Sequence, residues 1–446
     1  MTDRRIAIAG AGITGLTSAL KLEERGAAVT VFERKGEPGG SIKSVKEKGW
    51  LAEYGPNTLL LKDRSVAEFI DSLGLAGEKV IANKEANKRF IVKDGKLEPL
   101  PVSLTKALMT GLFSTKAKLR FLKEPFISRS KNRDQTVAGF TERRLGKEFL
   151  DYAINPFVAG IFAGRPEELS LRHAFPAMDH MEQRYGSLIR GALFGKKERK
   201  NRGVTARQLI SFGNGMQVLP KTIAEKLNDL RLNHEITGIE QSDDQWTVLT
   251  QMGSFGPFDD VIFTIPLYKW TEDLLPVNGS ELKSLQSANY PRLSVLLLGY
   301  KKEDIAHPLD GFGFLVPDKE NRNILGALFS STLFHGRAPD NAHLLTVFMG
   351  GGRQPEIADK EGEELLKLAE EDLRDLIGLK GEAIYKDLVY WPNSIPNYHV
   401  GYDEVLDTLK SIEERNPGLR FAGNFRDGIS VPDCIKNGLS LAGEIL

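Results

Sequence analysis

Residues 5–41 read Arg5-Ile-Ala-Ile-Ala-Gly10-Ala11-Gly12-Ile13-Thr14-Gly15-Leu-Thr-Ser-Ala-Leu-Lys-Leu-Glu-Glu-Arg25-Gly-Ala-Ala28-Val-Thr-Val-Phe32-Glu33-Arg34-Lys-Gly-Glu-Pro38-Gly39-Gly40-Ser41. The stretch predicts a strand, a glycine turn, a helix to Arg25, a second strand and a terminal acid. Gly10 permits the tight turn, Gly12 lets a pyrophosphate approach the backbone, and Gly15 lets helix and strand pack closely. An anion would sit at the helix N-terminus, where unpaired N–H groups and the helix dipole favour negative charge. Glu33 stands where a carboxylate can accept hydrogen bonds from both hydroxyls of an adenosine ribose. A GxGxxG alone is weak evidence, but strand, helix, second strand and acid all fall in register, which predicts dinucleotide binding.

The residues after Glu33 choose the dinucleotide. The pair Gly39-Gly40, just beyond the ribose carboxylate, resembles FAD oxidoreductases of the amine oxidase type and not NAD dehydrogenases.

Outward from this stretch, 446 residues suggest two or three domains. A hydrophobic share of 41% with 27% charged residues describes a globular chain. Formal net charge is zero, so no global field points to nucleic acid. The single cysteine, Cys434, permits no disulfide within the chain, which fits a reducing compartment. Signal-peptide patterning is not seen at the N-terminus, so a cytoplasmic location is expected. No apolar run approaches the length of a spanning helix. Metal spacing, a GxSxG elbow and a Walker loop are missing, so the chemistry is expected to be the cofactor's.

Along the chain, Gly55-Pro56-Asn57-Thr58 reads as a turn. Ser65 and Glu68 read as a capping box on a helix whose apolar face is Val66, Phe69, Ile70 and Leu73, ended by Gly74. Asp94-Gly95 predicts a hairpin, with Arg89 opening its first strand. From Thr105 to Lys147 eleven Lys/Arg stand against three Asp/Glu, interleaved with Leu108, Met109, Leu112, Phe113, Leu119, Phe121, Leu122, Phe126 and Ile127. That pattern fits an amphipathic region on an anionic bilayer or a helical subdomain with solvated lysines. Lys196–Arg202 reads as an exposed loop. Asn155–Gly164 is rich in small residues and suits either a wall against a flat ligand or a closely packed helix end. Strands are expected at 236–240, 246–250, 261–266, 293–300, 312–316, 324–329 and 344–348, and an amphipathic helix at 361–376. The chain closes with a strand running into Gly423, then a helix.

These motifs together place the chain near a known family. Gly10-Ala-Gly-Ile-Thr-Gly15, Gly55-Pro-Asn-Thr58, Asn87-Lys-Arg-Phe, Pro156-Phe-Val-Ala-Gly160, Gly311-Phe-Gly-Phe-Leu-Val-Pro317, Leu325-Gly-Ala-Leu-Phe-Ser-Ser331 and Gly423-Asn-Phe resemble the oxygen-dependent protoporphyrinogen oxidases of haem biosynthesis. The resemblance covers nearly the whole chain. It implies an α/β (α+β overall) architecture: a discontinuous Rossmann-like FAD domain (1–85, 205–270, 395–446), a mixed-sheet substrate domain (86–102, 271–394) and a helical membrane-associated insertion (103–204). It also tips the basic region toward peripheral membrane contact, with a homodimer left open.

The implied reaction removes six electrons from protoporphyrinogen IX through FAD, with dioxygen reoxidising the flavin to give hydrogen peroxide. The implied substrate contacts are Arg89, pairing a propionate through its bidentate fork; Leu315 and Leu328 on one face of the macrocycle; Phe348 on the other; and Gly160 on a loop approaching the ring. The implied cofactor contacts are Gly10, Ala11, Gly12, Ile13, Thr14, Gly15, Glu33 and Arg34 for the ADP half. Gly39, Gly40, Ser41, Gly55, Pro56, Asn57 and Thr58 would lie along pyrophosphate and flavin, Ile236 near adenine, Trp391 near the flavin, and Ile429, Ser430 and Val431 near the isoalloxazine, with Gly423 and Asn424 also binding the cofactor. Many relatives carry a basic residue where Ser41 stands. No catalytic acid or base is assigned. The alternatives are coproporphyrinogen III oxidation by the same chemistry, a more distant amine oxidase or carotenoid desaturase, and a flavin-free chaperone of related architecture that binds prenylated proteins.

Overall fold

A computed structural model describes residues 4–101, 109–201 and 208–446. Its organising sheet has five parallel strands in the order Leu230–Leu232, Ala28–Glu33, Arg5–Ala9, Asp260–Phe263 and Leu419–Phe421. The expected strand–turn–helix–strand is present as Arg5–Ala9, Ile13–Glu24 and Ala28–Glu33. Because successive side chains alternate across a strand, Ile6, Ile8, Val29, Val31 and Ile262 enter one core with the first helix (Ile13–Glu24) and the last (Val431–Ile445). Ala7, Ala9, Phe32, Val261 and Phe263 enter a second core. That second face is covered by the antiparallel sheet Ile236–Ser242, Gln245–Thr250 and Gly253–Phe258, whose Trp246, Val248 and Phe258 are buried there. A parallel sheet needs this double cover.

The second sheet has seven strands in the order Tyr385–Trp391, Leu293–Lys301, Ala342–Gly350, Ile324–Phe329, Gly313–Leu315, Phe90–Lys93 and Lys96–Pro99. All pairs are antiparallel except Gly313–Leu315 with Phe90–Lys93. The hairpin turn has Asp94 and Gly95 both at positive φ, as the Asp-Gly signal requires. The helix Gly362–Ile377 lays Leu365, Ala369, Leu373 and Leu376 on one face of this sheet. The opposite face is covered in part by Ala159 and Ala163, packed on Val295 and Phe348, and carries the site beside them.

Between Lys96–Pro99 and the strand Gln208–Phe212 the described residues are mostly helical, including Thr115–Leu122, Val137–Arg144, Asn155–Phe162, Pro176–Tyr185 and Leu188–Asn201. Among the described residues no helix is long and apolar enough to cross a membrane. The insertion has a charged centre. Arg144, fully buried, donates to Glu124, to Glu182 and to Gly186 O, and both carboxylates are fully buried too. Glu124 also caps the helix Leu188–Asn201 by accepting from Leu188 N and Ile189 N. Burial pushes the Glu182 carboxyl up, but its bonds to Arg144 and Arg143 outweigh that and hold it below the ordinary range.

Three local expectations are corrected. The helix Arg64–Ser72 is capped by Asp63, whose carboxylate accepts from Ser65 N, and Glu68 pairs with Arg64 instead of closing a capping box with Ser65. An Asp one residue ahead of the first turn outcompetes a Ser inside it. Lys196–Asn201 continues a helix and is not a loop, in keeping with the helix propensity of Lys, Arg and Glu; Arg202 lies outside the described residues, as do Thr105 and Leu108. Asn155–Phe162 is a helix, so Gly160 sits on its exposed face and not on a loop.

Three half-buried histidines set a pH dependence. Burial holds His173, His307 and His343 below their ordinary value of 6.5. The unfolded chain therefore binds protons near that pH that the folded chain refuses, and stability rises with pH through the window. The melting temperature measured at about pH 6 is expected to fall below that at about pH 7.5, at equal ionic strength.

Candidate flavin and substrate site

All five strands of the parallel sheet end at one edge, where such sheets bind ligands. There the first helix begins without any side-chain cap, and its first turn carries no acid. Its N–H groups are thus left for an anion. A Cβ on Gly12 would meet nothing within 4 Å, so open space adjoins the turn. A Cβ on Gly15 would lie 2.2 Å from Gly10 O, which is the close packing expected of the third glycine. The Gly39-Gly40 turn folds back onto the first: Gly39 N donates to Ala11 O, and a Cβ on Gly40 would stand 3.3 Å from Gly12 Cα. Gly55 approaches so closely that its Cβ would be 2.0 Å from Ser41 O. Three glycine segments distant in sequence therefore meet around one cradle.

Glu33 is buried and already accepts from Ala11 N at 2.9 Å and Lys35 N at 2.9 Å. Each carboxylate oxygen has two lone pairs, so capacity remains for ribose hydroxyls. Ile236 opens the strand beside this corner, with His234 N bonded to Glu33 O. Trp391 donates its indole N–H to Tyr54 O at 3.1 Å, fastening the end of its strand to the Gly55–Thr58 turn. Asn57 touches the second sheet, accepting from Thr346 Oγ1 at 3.4 Å. Asn424 follows the last parallel strand, and Ser430 caps the last helix through Asp433 N.

Strand register explains how the substrate candidates meet. Leu315, Gly326, Phe348, Val295 and Val389 form one row across the second sheet. In the next row of that face, Gly313, Leu328 and Thr346 are partners, and Arg89 immediately precedes the strand Phe90–Lys93 at the same end. Arg89, Leu315, Leu328 and Phe348 are thus brought to one sheet face, with glycines between the bulky residues at neighbouring strand spacings of about 4.8 Å. Leu315, Leu328 and Phe348 all project from the same sheet face. Leu315 leans between Gly160 and Gly326, each of which would clash with or crowd its Cδ2 if given a Cβ (2.6 and 3.2 Å).

Arg89 is exposed, with its guanidinium 5.0 Å from the Phe312 ring, and no carboxylate among the described residues pairs with it. The sequence reading missed Thr346, Gly313 and Gly326. Two-residue alternation from Phe348 would have found Thr346, and glycine inside a strand is a signal of close approach.

Residues 13–446 match the family of flavin-containing amine oxidoreductases. The chain belongs to that family. It is an FAD-dependent oxidoreductase, and the cradle described above suits the cofactor this family carries. Among its relatives is the mitochondrial protoporphyrinogen oxidase of Nicotiana tabacum, 36% identical across 99% of this chain and 95% of that one. The coproporphyrinogen III oxidase of Bacillus subtilis (strain 168) is 26% identical across 99% of this chain and 98% of its own length. A crystal structure of a protoporphyrinogen oxidase candidate from Exiguobacterium sp. 255-15 superposes with a TM-score of 0.84 at 24% identity, covering 100% of this chain and 99% of that one, which establishes a shared fold.

Proposed function

We propose that this flavoenzyme oxidises protoporphyrinogen IX to protoporphyrin IX. The observation that carries the reading is the full-length 36% identity to a protoporphyrinogen oxidase, supported by a sheet face that offers one free arginine beside Leu315, Leu328 and Phe348. Bound FAD supplies two-electron acceptance, with dioxygen as the final oxidant, and three such rounds complete the six-electron change.

The chain's own residues bind and orient. Arg89 pairs with a propionate at the rim, stacked on Phe312 so that little side-chain freedom is lost on binding. Leu315, Leu328 and Phe348 hold the macrocycle by apolar contact, and the glycines among them leave room for a flat ring to lie close to the strands. Thr346, bonded to both Asn57 and Ser330, brings a polar group to that face without a free charge.

Coproporphyrinogen III carries four propionates and would call for more cations. Arg353, five residues beyond Phe348, commits its two terminal nitrogens to Val316 O and Asn155 O. That observation favours the substrate with two propionates. The deciding experiment compares turnover of the two porphyrinogens side by side by product fluorescence. Protoporphyrinogen is expected to be the better substrate; equal or faster oxidation of coproporphyrinogen moves the assignment to the alternative.

The same reading includes peripheral membrane contact. Met109, Leu119, Leu122 and Phe126 are exposed around the helix Thr115–Leu122, interleaved with Lys116, Lys118, Arg120 and Lys123. Apolar groups among cations suit an anionic bilayer surface.

A further inference from the structure

The loop Asn424–Gly428 joins the last parallel strand to the last helix at the edge of the sheet where the flavin cradle lies. It is anchored from behind by two buried tyrosines. The Tyr398 hydroxyl donates to Asn424 O at 2.5 Å and accepts from Gly428 N at 3.0 Å, so one oxygen staples both ends of the loop. The Tyr402 hydroxyl donates to Phe425 O at 2.6 Å. Tyr398 is 3% exposed and Tyr402 fully buried. A phenolic hydroxyl has one proton to give, and Tyr398 uses both its donor and an acceptor site here. Burial pushes both phenols up, so they stay neutral donors.

The planar trans peptide turns this anchoring into a statement about the cradle. A C=O and the following N–H point in opposite directions across one peptide plane. With Asn424 O drawn back to Tyr398, the Phe425 N–H is aimed away from the tyrosine, and no acceptor among the described residues meets it. The tyrosines are themselves held in place: Ser170 N donates to Tyr398 O at 2.8 Å and Val400 N donates to Glu168 O at 3.0 Å, clamping the segment against the helical insertion.

We propose that Tyr398, seconded by Tyr402, is a positioning residue for FAD: it fixes the Asn424–Gly428 loop so that the Phe425 N–H faces the flavin half of the cofactor. The ADP half, held at Gly10–Gly15 and Glu33, does not depend on it. This rests on the flavin site and not on the identity of the substrate, so its failure leaves the proposed function standing.

The test titrates the full-length apoprotein with FAD, and separately with ADP, in wild type, Tyr398→Phe and Tyr402→Phe. Removing the Tyr398 hydroxyl frees both loop ends and is expected to weaken FAD binding about tenfold or more while ADP binding stays within about twofold. Tyr402→Phe should give the same split with a smaller loss. General structural damage would weaken both ligands together. Parallel weakening of FAD and ADP, or unchanged FAD binding, overturns the assignment. If Tyr398→Phe does not fold, Tyr402→Phe is judged by the same FAD-against-ADP criterion.

Discussion

Arg144→Met is expected to lower stability by about 3–5 kcal/mol, the cost of stripping the cation from a buried ion pair. The variant leaves Glu124 and Glu182 fully buried without the guanidinium that both pair with. Glu182 keeps Arg143 and Gln135, and Glu124 keeps Ser187 and two helix N–H groups, so neither is wholly abandoned. Limited proteolysis and thermal melting check this, with the helical insertion expected to be cut first. Adding Glu124→Gln removes one uncompensated charge and should recover part of the loss. A melting curve for Arg144→Met indistinguishable from wild type would contradict the account.

Arg89→Ala is expected to act on catalysis with almost no effect on folding. The side chain is exposed, lies over the Phe312 ring and pairs with no carboxylate among the described residues. Losing a charge-assisted bond of about 1.5–3 kcal/mol corresponds to a fall of roughly 10- to 100-fold in kcat/KM, carried chiefly by KM if the propionate is held equally in ground and transition states. Arg89→Lys keeps the charge but not the fork and should fall between. Steady-state kinetics with protoporphyrinogen beside a melting curve separate the effects; an unchanged KM would remove Arg89 from the substrate site.

The dinucleotide half was legible because its signals are local. Strand, turn, helix, strand and acid occupy residues 5–33, and each local rule agrees with the next. The hairpin at Asp94-Gly95 was legible for the same reason. Arg89, Leu315, Leu328 and Phe348 came from resemblance, because what unites them is the register of four strands drawn from separate parts of the chain. Periodicity assigns a residue to a face but cannot pair that face with another. Arg144 was hidden differently. It sat in a run of cations that reads as solvated or membrane-facing, and only tertiary packing reveals that it is buried on two acids. Tyr398 and Tyr402 carry no motif; their role depends on carbonyl directions in a loop more than twenty residues downstream.

The order of the parallel sheet has a consequence for biosynthesis. The strand Arg5–Ala9 is flanked by Ala28–Glu33 and by Asp260–Phe263, and the sheet is finished only by Leu419–Phe421. Its inner helical cover, the last helix, packs Gly438 directly against Thr14 and Thr17 of the first. At about 5–20 residues per second, the roughly 400 intervening residues delay completion of this lobe by about 20–80 s. Until residues 236–258 are made one face of the first strands lacks its cover, and until Val431–Ile445 is made the other is covered only in part, which makes the nascent chain a client for holding factors. A premature stop that removes Val431–Ile445 would therefore not trim a tail; it would leave the earliest-made part of the protein permanently unfinished.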